Sequence, residues 1–195
     1  MIVVDVETTG VDAKRCSLLS VGALDFDNPT NQFYLECCAF DGVHVEKEAL
    51  VISGFTEEEA RDPKKKTDRE VAEQFLLWMK TCTEWTLAGQ NPSFDRNFLE
   101  ETAHRYHINW PLAHRTIDLH TVAYTEFLRI GKAIPLKNNH SALNLDRILE
   151  HVGLPTRAKK HNALEDTKLE AEAFSRLLHR RNLLLEYKGF SLTAD

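Results

Sequence analysis

Apolar residues recur along this chain with two periods. Over the first forty residues they form short runs, at positions 2–6, 18–26 and 32–40, separated by Thr8-Thr9-Gly10 and Asp27-Asn28-Pro29-Thr30. Runs of this length bounded by turn residues predict strands, joined here as a three-stranded antiparallel meander. From Thr56 onward the period is helical. Thr67-Asp68-Arg69-Glu70 has capping-box spacing, and Val71, Phe75, Trp78, Met79 and Cys82 follow at intervals that place one apolar face on a sheet. Residues 85–90 read as a short buried strand and 93–107 as a helix with the stripe Phe94, Phe98, Leu99 and Ala103. A strand at 115–117 leads into a helix at 118–130, residues 131–140 read as irregular, and helices follow at 143–152 and 163–185. Arg176, Arg180 and Arg181 suit the negative end of the last helix.

Strands followed by alternating helix and strand predict an α/β fold, with a mixed central β-sheet of the meander plus parallel strands, flanked by helices. No linker, repeat or low-complexity stretch divides residues 1–195, so one domain is expected. No apolar run approaches the ~20 residues of a membrane span, and Met1 leads directly into the first strand, so a cytoplasmic protein without membrane contact is expected. The four cysteines form no CxxC pair and suit free thiols. With 24 Lys and Arg against 30 Asp and Glu, the net charge is −6, which argues against a broad electrostatic grip on nucleic acid.

Three places along the chain carry candidate chemistry. In Asp5-Val6-Glu7 the alternation of a strand puts both carboxylates on one side and Val4 and Val6 on the other. Asp95 falls in the first turn of its helix on the side of Phe98 and Leu99, toward the sheet. In His161-Asn162-Ala163-Leu164-Glu165-Asp166, Asn162 and Glu165 resemble a capping box, so His161 sits on the preceding loop and is free to converge with Asp166. Taken singly, each has a plainer reading: solvated acids at a strand end, an acid complementing a helix dipole, a surface histidine. One hypothesis covers all three, that four carboxylates gather at one edge of the sheet around hard cations. An oxygen donor set suits Mg²⁺ or Mn²⁺ rather than zinc. A pair of such ions clamps the attacking and leaving oxygens of a phosphodiester, and a nearby histidine takes the proton from water.

The segments Val4-Asp5-Val6-Glu7-Thr8-Thr9-Gly10, Asn91-Pro92-Ser93-Phe94-Asp95-Arg96-Asn97-Phe98-Leu99 and His161-Asn162-Ala163-Leu164-Glu165-Asp166 resemble, in order and type, the three motifs of the DEDD 3′-to-5′ exonucleases. The resemblance is to the subgroup with a histidine in the third motif, DEDDh, and it implies a ribonuclease-H-like fold. It further implies that Asp5 bridges two metal ions, that Glu7 and Asp166 hold the ion carrying the nucleophilic water, that Asp95 serves the other partly through water, and that His161 is the general base. Thr8 and Thr9 would face the terminal nucleotide, largely through backbone groups. The implied reaction releases nucleoside 5′-monophosphates from the 3′ ends of single-stranded DNA or RNA. Two departures stand near the acids: Gln90-Asn91-Pro92 where the family often has His-Asn-Ala, and Thr167 for a frequent alanine.

Asn91, Phe55, Lys159 and Lys160 join the threonines as candidate substrate contacts, Phe55 as a base-stacking residue whose alternative is a core role. Arg157 belongs to the same basic loop beside His161. Lys64-Lys65-Lys66 with Arg61 reads as a solvated loop, His104 and His107 as surface residues, and Asp118 as a helix N-terminus. A competing reading is a proofreading or scaffold subunit that acts mainly by binding a polymerase or nuclease complex; a polymerase complex or a homodimer is the protein partner considered. Residues 186–195 leave little of the extension such subunits carry, which favours a stand-alone enzyme. Two divalent ions would neutralise the four proposed ligands, so the acidic composition suits short contacts at a strand end.

Overall fold

The computed structural model describes residues 1–192; the last three residues of the expected domain lie outside them. Strands β1 (Ile2–Thr8), β2 (Leu18–Asp25) and β3 (Gln32–Cys38) form the expected meander. The sheet extends on both sides through parallel neighbours. Beyond β3 lies β4 (Lys66–Thr67); beyond β1 lie β5 (Leu87–Gly89) and then β6 (Thr116–Asp118). Both β1 and β2 are central and almost wholly buried.

Helices cover both faces. On one side α3 (Asp68–Trp78) and α4 (Pro92–Arg105) pack Phe75, Leu76, Phe98 and Leu99 against Ile2, Val4, Val6 and Val21. On the other, α5 (Leu119–Arg129), α6 (Leu145–His151) and α7 (Ala163–His179) pack Leu119, Ile148, Leu149 and Phe174 against Val3, Leu24 and Ala88. The short α1 (Lys47–Ser53) and α2 (Glu57–Ala60) close the end of the sheet around Leu19, Leu50 and Ala60. Thr67 and Glu70 form the expected reciprocal cap on α3, and Asp118 caps α5 by accepting the His120 N–H at 3.0 Å.

Three expected elements differ. The last helix does not run to residue 185: it ends at His179, where Arg180 takes a left-handed conformation (φ 53°). The chain then folds back because Glu172 and Arg176 capture its backbone groups. Glu172 Oε2 accepts the N–H groups of Leu183 and Leu184 at 2.8 and 2.9 Å. Residues 131–140 are not wholly irregular, since β7 (Leu136–Lys137) and β8 (His140–Ser141) form a hairpin. Its turn is Asn138-Asn139, both at positive φ, the geometry that matches strand twist in two-residue hairpins. The strand expected over 85–90 is confined to Leu87–Gly89, with the Thr86 carbonyl also accepting the Ile2 N–H at 2.9 Å.

Candidate active site

Alternation along β1 sends Val4 and Val6 into the layer beneath α3 and α4, leaving Asp5 and Glu7 together on the α7 side. Asp5 lies opposite Gly22 and Glu7 opposite Ser20. Just beyond, the register slips so that Thr8 faces Leu18 and Leu19 is passed over. That bulge turns Leu19 out to pack on α1 and brings α1 against the end of β1. Gly22 matters for a different reason. A Cβ there would lie 2.3 Å from the carbonyl carbon and oxygen of Ala163, so only glycine lets the first turn of α7 rest on the sheet opposite Asp5.

The other candidate acids arrive from two helices. Phe98 and Leu99 are essentially inaccessible, and burying each contributes about 1.5–3 kcal/mol, which fixes α4 on the sheet. Asp95, one turn earlier, is carried to the end of β1, where Oδ1 accepts the Val6 N–H at 3.0 Å; its side chain faces inward, as its stripe predicts. On α7, Asn162 caps the helix by accepting the N–H groups of Leu164 and Glu165. The reciprocal half of that cap is missing, because Glu165 pairs with Lys168 instead. His161 lies on the preceding loop, as the cap position requires, and its N–H donates to the Ile52 carbonyl of α1 at 3.3 Å. Nδ1 stands 3.5 Å from Asp166 Oδ2.

Glu7, His161 and Asp166 each offer a ligand atom within 4.8 Å of the others. Burial raises the carboxyl of Glu7 to about 8, with Asp166 and Asp95 adding to the effect, and burial raises Asp95 to about 7. Asp5 is pushed well up by burial and then by Asp95, Glu170, Glu7 and Asp166. Such values describe acids crowded together without enough positive charge. The cation that does reach them is Arg157. Its Nε and Nη2 bind Asp146 at 3.0 and 3.3 Å, leaving Nη1 3.4 Å from both Asp166 Oδ2 and His161 Nδ1. Burial and this guanidinium lower the His161 pKa. The carboxylate oxygens fit a hard divalent cation, which leaves the imidazole free for proton transfer rather than ligation.

Asp5, Glu7, Thr8, Arg157 and His161 line an open cleft of about 310 Å³ together with Ile52 and Phe94. A larger hollow of about 510 Å³ beside it, between Val11–Lys14 and α4, contains none of these acids. Among the candidate substrate contacts, Thr8 faces the cleft, its Oγ1 donating to Gly10 O at 2.7 Å. Thr9 does not. It is inaccessible, its N–H and Oγ1 are used by Ser17 and His44, and its carbonyl accepts the Glu46 N–H. Phe55 lies outside the cleft lining, half-buried against Leu19, Leu50 and Ala60 with Lys65 Nζ 4.5 Å and Lys160 Nζ 6.0 Å from its ring centre. Lys159 and Lys160 are exposed. Asn91 holds the left-handed cap position of α4 and lines a neighbouring polar groove with Asp118 and His120. Sequence reasoning missed Ile52, Asp146, Gly22 and Glu170. A glycine inside a buried strand was the available signal for Gly22, and an i,i+4 relation to Asp166 for Glu170.

Residues 2–174 match the RNase_T family, described as exonucleases. Ribonuclease T of Photobacterium profundum is 26% identical over 92% of this chain and 82% of its own length. Ribonuclease T of Hahella chejuensis is 29% identical over 92% of this chain and 83% of its own. The fold resembles cell-death related nuclease 4 (TM-score 0.69, 20% identity, 93% of this chain) and E. coli exonuclease I in complex with a dA16 oligonucleotide (TM-score 0.72, 20% identity, 92% of this chain). This chain spans 64% of the first structure and 40% of the second. With the family match covering most of the chain and its three motifs converging on one cleft, the protein belongs to the DEDD 3′-to-5′ exonucleases and has their ribonuclease-H-like fold.

Proposed function

We propose that residues 1–195 act as a single exonuclease domain that hydrolyses single-stranded DNA or RNA from the 3′ end, releasing nucleoside 5′-monophosphates with two Mg²⁺ or Mn²⁺ ions. The observation that carries this reading is the convergence of Glu7, His161 and Asp166 within 4.8 Å, with Asp5 beside them in the same cleft. Both nucleic acids remain in the reading because the relatives are named ribonuclease T while the fold neighbours include E. coli exonuclease I in an ssDNA complex.

When bound, the two ions neutralise the phosphate and make water a competent nucleophile near neutral pH. Asp5 would serve both ions, Glu7 and Asp166 would hold one, and Asp95 would serve the other. His161 takes a proton from the attacking water. Burial and Arg157 favour the uncharged imidazole, the form able to accept that proton. Water oxygen bonds to the terminal phosphorus, the bond from phosphorus to the 3′ oxygen breaks, that oxygen takes a proton from solvent, and the shortened strand leaves with a 3′-hydroxyl. Ile52, 54% exposed at the lip of the cleft, offers an apolar edge to the terminal base.

A 5′-labelled single strand of DNA or of RNA, incubated with Mg²⁺ or Mn²⁺, should yield a ladder of shortened products. Chelator and Asp5→Ala should each abolish it. His161→Ala should slow cleavage by roughly 10²–10⁴-fold, the range for a lost general base, while metal binding persists. A ladder indifferent to chelator sinks the metal-dependent reading; unchanged turnover in His161→Ala removes the base assignment.

A further inference from the structure

Three buried acids away from the cleft have arginine partners, and a fourth, Asp25, accepts the Asp27 N–H through Oδ1. Glu172 meets Arg176, Asp68 meets Arg105 and Glu126 meets Arg129, each at 2.9 Å. Glu170 is different. It is only 2% exposed, Oε2 has no hydrogen-bond partner, and no salt bridge reaches it among the described residues. Four positions after Asp166, it leaves the same face of α7. Oε2 would lie 3.0 Å from a Cβ on Gly89, and Val4 O 2.8 Å from the same point, so the glycine at the end of β5 makes room for this carboxylate beside β1. The charges that act on it most are Asp95 and Asp166, and it in turn acts on Asp5.

A buried carboxylate in such company, with Oε2 unpartnered and only the Gln90 backbone N–H and the Arg157 charge to favour its ionised form, is strongly unfavourable unless further positive charge arrives. We propose that Glu170 is a fifth carboxylate of the cation site, a positioning residue that holds negative charge behind Asp5 and Asp95 and so raises the affinity for divalent cations. This inference rests on the metal-dependent reading above. It assigns Glu170 to cation capture rather than to the reacting atoms.

The test is a Mn²⁺ titration of chelator-stripped protein, following free ion by electron paramagnetic resonance, on wild type, Glu170→Gln and Glu170→Asp. Supporting groups around metal ligands commonly account for 10–100-fold in affinity, so Glu170→Gln should bind at least one ion about tenfold or more weakly. Glu170→Asp, which keeps the charge, should stay much closer to wild type. A second readout separates this from a merely structural role. Without metal, Glu170→Gln should melt higher than wild type because a like charge is gone, and its Mn²⁺-induced rise in Tm should shrink. Wild-type affinity in Glu170→Gln, with Mn²⁺ binding still lost in Asp5→Ala, overturns the inference and leaves the exonuclease reading standing. Absence of Mn²⁺ binding in wild type overturns both. If Glu170→Gln does not fold, Glu170→Met, similar in volume and uncharged, carries the same comparison.

Discussion

Replacing Arg176 by methionine should be among the most damaging single changes outside the cleft. The guanidinium is 2% exposed and pairs with Glu172, itself inaccessible. Its remaining N–H groups donate to the carbonyls of Val152 (2.9 Å), Tyr187 (3.1 Å) and Phe190 (3.0 Å) and to Asn182 Oδ1 (3.0 Å), tying the returning C-terminal segment and the end of α6 to α7. Removing one member of a buried ion pair costs about 3–5 kcal/mol, because the other charge stays behind uncompensated. Glu172 keeps the N–H groups of Leu183 and Leu184, which holds the loss toward the lower half of that range; the stranded carbonyls push it back up. A loss of about 4 kcal/mol is a large part of the ~5–15 kcal/mol that holds a domain folded. At a urea dependence of roughly 2 kcal/mol per molar, the unfolding midpoint should fall by about 2 M. Urea titrations followed by circular dichroism read this directly, and the double-mutant cycle with Glu172→Gln isolates the pair. A midpoint within about 0.5 M of wild type, corresponding to ~1 kcal/mol, would refute the reasoning.

Two further predictions concern the acids and their neighbours. In the metal-free protein Asp95 and Glu7 have folded pKa values of about 7 and about 8, above their ordinary values, so the folded state binds more protons between about pH 4 and 8 and stability must fall as pH rises through that window. Melting in chelator should therefore drop from pH 5.5 to pH 8 and flatten when Mg²⁺ or Mn²⁺ is added; an equal or higher Tm at pH 8 in chelator contradicts it. Gly22→Ala forces a Cβ into the backbone of Ala163 and should cost about 1–3 kcal/mol while displacing Asp166, so Tm and turnover fall together. Wild-type turnover in that variant would show that α7 accommodates the methyl.

The meander was legible because β1 and β2 are short apolar runs between turn residues, and α3 because its cap and stripe are local signals. The five residues Asp5, Glu7, Asp95, His161 and Asp166 converge because strand alternation, a helix first turn and a cap position each fix a direction. What escaped was non-local. The stop of α7 at His179 depends on Arg176 meeting carbonyls from two separate segments, the end of α6 and the returning C-terminal stretch. Glu170 looks from sequence like one more acid on a solvated helix; only the fold buries that face against β1 and β5. Thr9, adjacent to Thr8, turns away because the bulge spends its polar groups on Ser17, His44 and Glu46.

The pairing of Asp5 with Gly22 and Glu7 with Ser20 has a consequence for folding as well as for chemistry. A slip of one residue between β1 and β2 would reverse every side chain of β1. Asp5 and Glu7 would then enter the layer of Phe75, Met79 and Phe98, where no cation waits, while Val4 and Val6 would face the cleft. In a strand that is apolar on both faces such a slip trades one apolar residue for another at little cost. Here the error buries two charges at once, so the acids that await a metal also check the alignment of the sheet before any metal arrives.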